Sequence, residues 1–249
     1  MKIGIIGFGN LGRALASGLV KSGVDAGALF VCDNSAAALA LAADEYGAFA
    51  SADINAVISA TDVVFLTVKS YVFTEIAARI DQAGLKSKTF VSFMAGMQLE
   101  QLRPHIGEAV LVRAMPSLAI AACDGVIGYT KAPAEVSGIL NKLGYAFETE
   151  PENIEKVMAF SSCGLGFAAY LIDAFAAAGQ TMGFTAEESA RIASITFKNA
   201  VDRGSYRDTV SSVATPGGAT EQGVLHMDES DVYGIVSRAV GKAYERMTG

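Results

Sequence analysis

Cysteine, histidine and positive charge are all scarce in this 249-residue sequence, and each shortage removes a class of function. The three cysteines, Cys32, Cys123 and Cys163, are odd in number, far apart and without a C-x-x-C pair, and histidine occurs only twice. Neither a disulfide framework nor a zinc or other metal site is suggested. A reduced, cytoplasmic setting is the expectation. Nineteen Lys and Arg against 26 Asp and Glu leave a formal net charge of −7 and a pI near 4.9, without the basic face that binding nucleic acid requires. The N-terminus runs from Lys2 straight into a strand-like segment and lacks the zones of a signal peptide. The longest uncharged stretch, between Lys156 and Asp173, is shorter than the roughly 20 residues of a bilayer span and is broken by serines and glycines. It reads as a buried helix of a soluble protein with no membrane partner. Internal repeats and low-complexity linkers are also absent.

What the chain has in quantity is apolar side chain: 51% of residues are hydrophobic and 18% charged, enough for one large core or two modest ones. Over residues 1–150, strand-like runs at 2–6, 29–32, 63–68, 89–93, 110–113 and 126–129 alternate with helical segments such as 10–21 and 36–46. Apolar strands separated by helices predict a parallel sheet covered on both faces, closed by a helix at 134–143 and a strand at 145–148. From Pro151 the strand signal stops. Val157, Phe160, Gly164, Phe167, Leu171 and Ala178 recur at spacings of three and four, which predicts one long helix with a single stripe. Thr185, with Glu188 three residues on, reads as a capping box opening a second helix, and a third runs from about Asp231. The fold class is therefore α/β: a parallel-sheet domain over 1–150, then an all-helical domain over 151–249 that completes its core against a partner subunit.

The stretch Ile3-Gly4-Ile5-Ile6-Gly7-Phe8-Gly9-Asn10-Leu11-Gly12 carries a G-x-G-x-x-G where the first strand turns into the first helix. Gly7 permits the tight turn, Gly9 admits a pyrophosphate to the backbone, and Gly12 lets helix and strand pack closely. Phe8, Asn10 and Leu11 complete the loop, whose helix N-terminus offers free N–H groups and a partial positive charge to phosphates. Asp33, with Asn34 beside it, ends the second strand about 20 residues beyond the motif, where an acid accepts adenosine-ribose hydroxyls and repels a 2′-phosphate. No arginine follows closely, so NADH is favoured over NADPH. The competing reading makes Asp33 a helix N-cap, a role that Asn34 or Ser35 also fits.

A dehydrogenase acting on an alcohol needs a lysine, histidine or tyrosine to move a proton on oxygen. Tyr170 stands where hydroxyacid dehydrogenases carry the lysine of their Gly-x-x-Gly-x-Gly-x-x-x-Lys pattern, that helix has no lysine after Lys156, and His105 and His226 read as structural. Reducing a carbon–nitrogen double bond asks less, because a protonated imine carries its own charge and needs hydride, orientation and an anchor. Pro216-Gly217-Gly218-Ala219-Thr220, following Thr215, is either a plain turn between helices or a cradle for a carboxylate. In the second reading the amides hold the anion and Thr220, the catalytic candidate, hydrogen-bonds the substrate nitrogen.

These stretches, together with Thr67-Val68-Lys69, Val91-Ser92-Phe93-Met94-Ala95-Gly96-Met97, Arg113-Ala114-Met115-Pro116 and residues 210–229, resemble the pyrroline-5-carboxylate reductase family over most of the chain. The resemblance implies a Rossmann domain at 1–150 and a helical dimerisation and substrate-binding domain at 151–249. It also implies nicotinamide beside Val68, Lys69, Ala95 and Gly96, and a cyclic imine carboxylate held by Thr215, Gly217, Gly218, Ala219 and Thr220. Hydride would pass from NAD(P)H to 1-pyrroline-5-carboxylate, giving L-proline, in a homodimer or larger assembly of dimers. The chain departs from the family's Met-Pro-Asn-x-Pro at Ser117 and Ala119, and Phe167 stands where a glycine is expected. A different cyclic imine carboxylate, or dinucleotide binding without catalysis, are the alternatives.

Overall fold

A computed structural model describes residues 1–248, which divide into two compact units: Met1–Ser162 with the chain's end from Tyr244, and Cys163–Ala243. The first unit runs through β1 (Ile3–Ile6), α1 (Asn10–Lys21), β2 (Leu29–Cys32), α2 (Ala36–Tyr46), β3 (Phe49–Ser51), α3 (Ile54–Ala60), β4 (Val63–Leu66) and α4 (Ser70–Ala77). It continues with β5 (Thr89–Ser92), α5 (Leu99–Ile106), β6 (Val110–Pro116), β7 (Gly125–Tyr129), α6 (Ala134–Lys142), β8 (Gly144–Glu148) and α7 (Ile154–Val157).

The strands form one sheet in the order β3-β2-β1-β4-β5-β6-β7-β8. Alternation along each strand splits the core into two layers. Ile3, Ile5, Phe65 and Val91 pack on one face with Leu15 and Leu19 of α1, and Ile6, Val64, Leu66 and Phe90 on the other with Phe73 of α4. Burying one such side chain stabilises by about 1.5–3 kcal/mol, so a strand with two covered faces reads as a continuous apolar run. β1 pairs in parallel with both β2 and β4, and the chain order along the sheet reverses there, so the loop after β1 opens at a topological switch point.

One pairing differs from the parallel sheet expected: β6 and β7 run antiparallel, with Met115 opposite Gly128. Their link, residues 117–124, holds only the 3-10 turn Leu118–Ala122, and a parallel return needs a crossover of a dozen or more residues. β3 has no sequence signature because it is three residues long, with Phe49 exposed.

The second unit is helical: α8 (Cys163–Thr181), α9 (Ala186–Asp202), α10 (Tyr206–Val213), α11 (Ala219–Glu229) and α12 (Val232–Thr248), the last passing into the first unit at Tyr244. The long helix expected from residue 157 onward is interrupted by a π-helical turn, Met158–Ser162, whose wider winding takes Val157 off the line of the residues in α8. The stripe is also not buried within the chain: Phe160 is 76% and Leu171 41% exposed, whereas only Ala176, Ser189 and Ala193 of α8 and α9 are buried. By length and composition, the helical run Pro151–Thr181 reaches the size of a bilayer span, longer than the uncharged stretch alone because the winding continues through Glu152, Glu155, Lys156 and Asp173.

Thr185 and Glu188 form the capping box expected of α9: the Thr185 Oγ1 accepts the Glu188 N–H at 3.2 Å, and Glu188 Oε2 accepts the Thr185 N–H at 2.9 Å. The Thr185 backbone N–H, and then its hydroxyl, hold the Glu188 carboxyl below its ordinary value of 4.5. A lowered folded value means that the stabilisation is present above the ordinary value and is lost as pH falls through the lowered one. Amide exchange at the start of α9, corrected for intrinsic rates, is expected to accelerate through that acidic window, and Glu188→Ala to remove the extra pH dependence.

Candidate active site

Every residue expected at the dinucleotide lies along the carboxyl edge of the sheet, in the turns after β1, β2, β4 and β5 or in the first turn of α1. The turn after β1 is tight: the Gly7 N–H donates to the Cys32 carbonyl at 2.8 Å, and the Gly7 backbone adopts φ +97°, which a side chain resists. A β-carbon on Gly12 would lie 2.1 Å from the Gly7 carbonyl oxygen, so glycine there sets the closest approach of α1 to β1. Over Gly9, the N-terminal flank of α1, an added β-carbon would meet nothing within 4 Å. That open space beside free first-turn amides fits a pyrophosphate. Phe8 is buried edge-on against Tyr46, Leu11 packs on the core, and the Asn10 Oδ1 accepts from the Arg13 guanidinium at 2.8 Å.

Asp33 is tied to this loop. Its Oδ2 accepts the Phe8 N–H at 2.6 Å and its Oδ1 the Ser35 N–H at 2.9 Å. Ser35, not Asp33 or the exposed Asn34, caps α2, with its Oγ accepting the Ala38 N–H at 3.3 Å. Burial, with the Asp33 charge second, pushes the neighbouring Cys32 thiol up to about 11, so it stays neutral under the sheet. Val68 and Lys69 follow β4, with Lys69 flanking α4, and Ala95 and Gly96 follow β5.

The substrate candidates lie in the second unit, between α10 and α11. The Gly218 N–H donates to the Thr215 carbonyl at 2.8 Å, closing the turn, and the Gly217 N–H donates to Glu221 Oε2 at 2.7 Å. A carboxylate of the chain itself thus sits on one of the amides expected to take a substrate anion. Ala219 and Thr220 open α11, where the helix leaves their N–H groups without internal partners. Thr220 is exposed, and among the described residues nothing hydrogen-bonds its hydroxyl.

Three features escape a reading by motif. The Thr67 hydroxyl donates to the Gly7 carbonyl at 2.6 Å and so ties the β4 end to the glycine loop. Glu221 is the second. The third is a buried ion pair: Arg113 of β6, 1% exposed, meets Glu155 of α7, 4% exposed, with both guanidinium Nη atoms, and Nη1 also donates to Gln98 Oε1 at 2.8 Å. An arginine inside an otherwise apolar strand is itself a signal, since a charge is seldom buried without a partner and removing one member costs about 3–5 kcal/mol.

Comparison with known proteins places this geometry. Residues 151–249 match the family model described as pyrroline-5-carboxylate reductase dimerisation, and residues 2–96 the model described as NADP oxidoreductase coenzyme F420-dependent. The pyrroline-5-carboxylate reductase of Aquifex aeolicus is 27% identical over 260 residues, covering 99% of this chain and 96% of its own, and that of Escherichia coli is 28% identical over 262 residues, covering 98% and 96%. Over nearly its whole length the chain is similar to pyrroline-5-carboxylate reductases. The crystal structure of Plasmodium falciparum pyrroline carboxylate reductase with NADP bound shares its fold, with a TM-score of 0.89 at 22% identity over 99% of this chain and 97% of that one. Of the departures from the family pattern, Ser117 is buried and its Oγ accepts the Val126 N–H at 3.2 Å, so it fastens β6 to β7; Phe167 is half-buried on α8.

Gly9 and Gly12 separate binding from folding. Gly9→Val is expected to leave thermal unfolding near wild type and to reduce dinucleotide affinity at least about a hundredfold. Gly12→Val is expected to destabilise the fold by about 3 kcal/mol or more, because its β-carbon overlaps the Gly7 carbonyl. Thermal melts and fluorescence titration with reduced dinucleotide read the two effects; wild-type affinity in Gly9→Val would refute the loop's role.

Proposed function

We propose that this protein reduces 1-pyrroline-5-carboxylate to L-proline with hydride from a reduced nicotinamide dinucleotide, NADH in preference to NADPH. The observation carrying the reading is the likeness to curated pyrroline-5-carboxylate reductases over nearly the whole chain, spanning both units. The open space over Gly9 and the first-turn amides of α1 fit the pyrophosphate, and Asp33, just after β2, is the acid suited to accept the adenosine-ribose hydroxyls. Its carboxylate is held in place by the Phe8 and Ser35 amides, so its charge stays where a 2′-phosphate would have to go. Val68, Lys69, Ala95 and Gly96 border the nicotinamide end. When bound, the reduced nicotinamide supplies the hydride.

On the substrate side, the loop from Thr215 through Gly217 and Gly218 to Ala219 and Thr220 takes the carboxylate, the first-turn amides of α11 being the available donors. The substrate anion competes with Glu221 for the Gly217 N–H. The Thr220 hydroxyl faces the ring nitrogen and orients the imine. Protonated imine and hydride together yield the neutral amine, so no side chain needs to move a proton on oxygen, in keeping with the absence of a lysine on α8. The functional division at 150/151 is supported by the span of the dimerisation model, and the exposed apolar side chains of α8 and α9, among them Leu171, Phe175, Ile192 and Ile195, supply a surface for a homodimer or an assembly of dimers. The protein works in the cytoplasm, without nucleic acid or membrane.

Purified protein is expected to oxidise NADH when given 1-pyrroline-5-carboxylate; turnover confined to another cyclic imine carboxylate, or cofactor binding with no turnover, would replace this reading. Thr220→Ala is expected to lower kcat/KM about a hundredfold at unchanged dinucleotide affinity. Asp33→Ser is expected to shift the NADH-to-NADPH ratio of kcat/KM toward NADPH by about tenfold or more, the effect of relieving roughly 1.4 kcal/mol of repulsion.

A further inference from the structure

The buried pair of Arg113 and Glu155 does more than join a strand to a helix. Two neighbouring apolar side chains would fill the same space without an ionic desolvation cost, and here that cost includes an Arg113 Nε that no group hydrogen-bonds among the described residues. What an apolar pair would not provide is the third contact, from Nη1 to Gln98 Oε1 at 2.8 Å. Gln98 is the residue from which α5 starts, its own N–H donating to Gln101 Oε1 at 2.7 Å, and it stands two residues after Gly96. The turn holding Ala95 and Gly96 is thus clamped on both sides. Before it, the Phe93 N–H donates to the Leu66 carbonyl at 3.0 Å and the Met94 N–H to Ser92 Oγ at 3.3 Å. After it, Gln98 is clamped by a guanidinium that both Glu155 oxygens orient as a fork. Gly96 has φ +68°, so the turn is a bend whose direction depends on where its two ends are held.

We propose that Arg113 is a positioning residue for hydride transfer: fixed by Glu155, it sets the Ala95 and Gly96 turn through Gln98 and thereby the seat of the nicotinamide ring. This rests on the reductase reading for the identity of the imine, but the nicotinamide seat can be read without it. Glu155 also lies in the helical stretch that winds into the π turn Met158–Ser162, where the Ser162 hydroxyl donates to the Pro116 carbonyl at 3.0 Å. One guanidinium therefore ties the turn after β5 to β6 and to α7.

Two variants test the role. Arg113→Met/Glu155→Met replaces the pair with apolar side chains and keeps the interior filled; Gln98→Ala removes the guanidinium's contact to the turn, together with the side chain at the N-cap of α5, and leaves the pair intact. Each is measured, beside wild type, for thermal unfolding, for affinity toward ADP-ribose, which lacks the nicotinamide, for the fluorescence of bound NADH or NADPH, and for steady-state turnover of 1-pyrroline-5-carboxylate. The expected result is ADP-ribose affinity within about twofold of wild type and nicotinamide fluorescence shifted toward that of the free cofactor. With these, kcat falls about ten- to a hundredfold at nearly constant KM for the imine, the scale of a small misplacement of reacting groups. Wild-type fluorescence and wild-type kcat in both variants would overturn the proposal and leave the reductase reading standing. Altered fluorescence in the variants, with no imine turnover even by wild type, would uphold the positioning role and overturn the reductase reading.

Discussion

The Gly7 carbonyl is the point on which the dinucleotide-binding unit turns. It lies where a β-carbon of residue 12 would be, and it accepts the Thr67 hydroxyl from the end of β4. A hydrogen bond thereby joins the end of β1 to the end of β4, and the first turn of α1 packs closely against the same carbonyl. Since α1 can come no closer, its N-terminus is aimed across the switch point between β1 and β4, and the free amides of its first turn face open space over Gly9. Asp33 closes the arrangement from the other side by gripping the Phe8 amide. Two parallel neighbours and two apolar layers keep β1 in place, so the loop inherits the rigidity of a strand buried along its whole length.

The helical unit follows a different logic. Its alanine-rich helices bury little within the chain: Ala176 of α8 and Ser189 and Ala193 of α9 are enclosed, while large side chains such as Phe175, Ile195 and Val210 stay exposed. Small residues let α8 and α9 approach closely, as where the Gly179 position faces Ser189 Oγ, but they contribute little buried area. A unit of this kind gains its core from outside the chain, in line with a family model whose description is dimerisation.

Much of the fold was legible because its signals are local. Apolar runs marked β1, β2, β4 and β5, the glycine spacing marked the turn into α1, and Thr185 with Glu188 marked the start of α9. Each depends on neighbours within a few residues, which the order of side chains encodes directly. The antiparallel turn at β7, the three-residue β3 and the π turn at Met158–Ser162 were not legible, because each is decided by where distant segments leave room. The apolar stripe from Val157 to Ala178 shows the limit most clearly: spacing reveals that a helix has an apolar face, and not whether the chain itself covers it.

The site divides along the same line. By itself the sequence determined the α/β class, the glycine loop with its acid at Asp33, and the turn from Thr215 to Thr220, since those follow from residue type and short spacing. Only the tertiary structure decided that Ser35 rather than Asp33 caps α2, that Asp33 is spent on the Phe8 amide, that Glu221 occupies the Gly217 N–H, and that Arg113 joins Glu155 and Gln98. The physical reason is that a polar group's partner is chosen by distance in space after the apolar core has folded, and residues 98, 113 and 155 become neighbours only when β6 and α7 pack together.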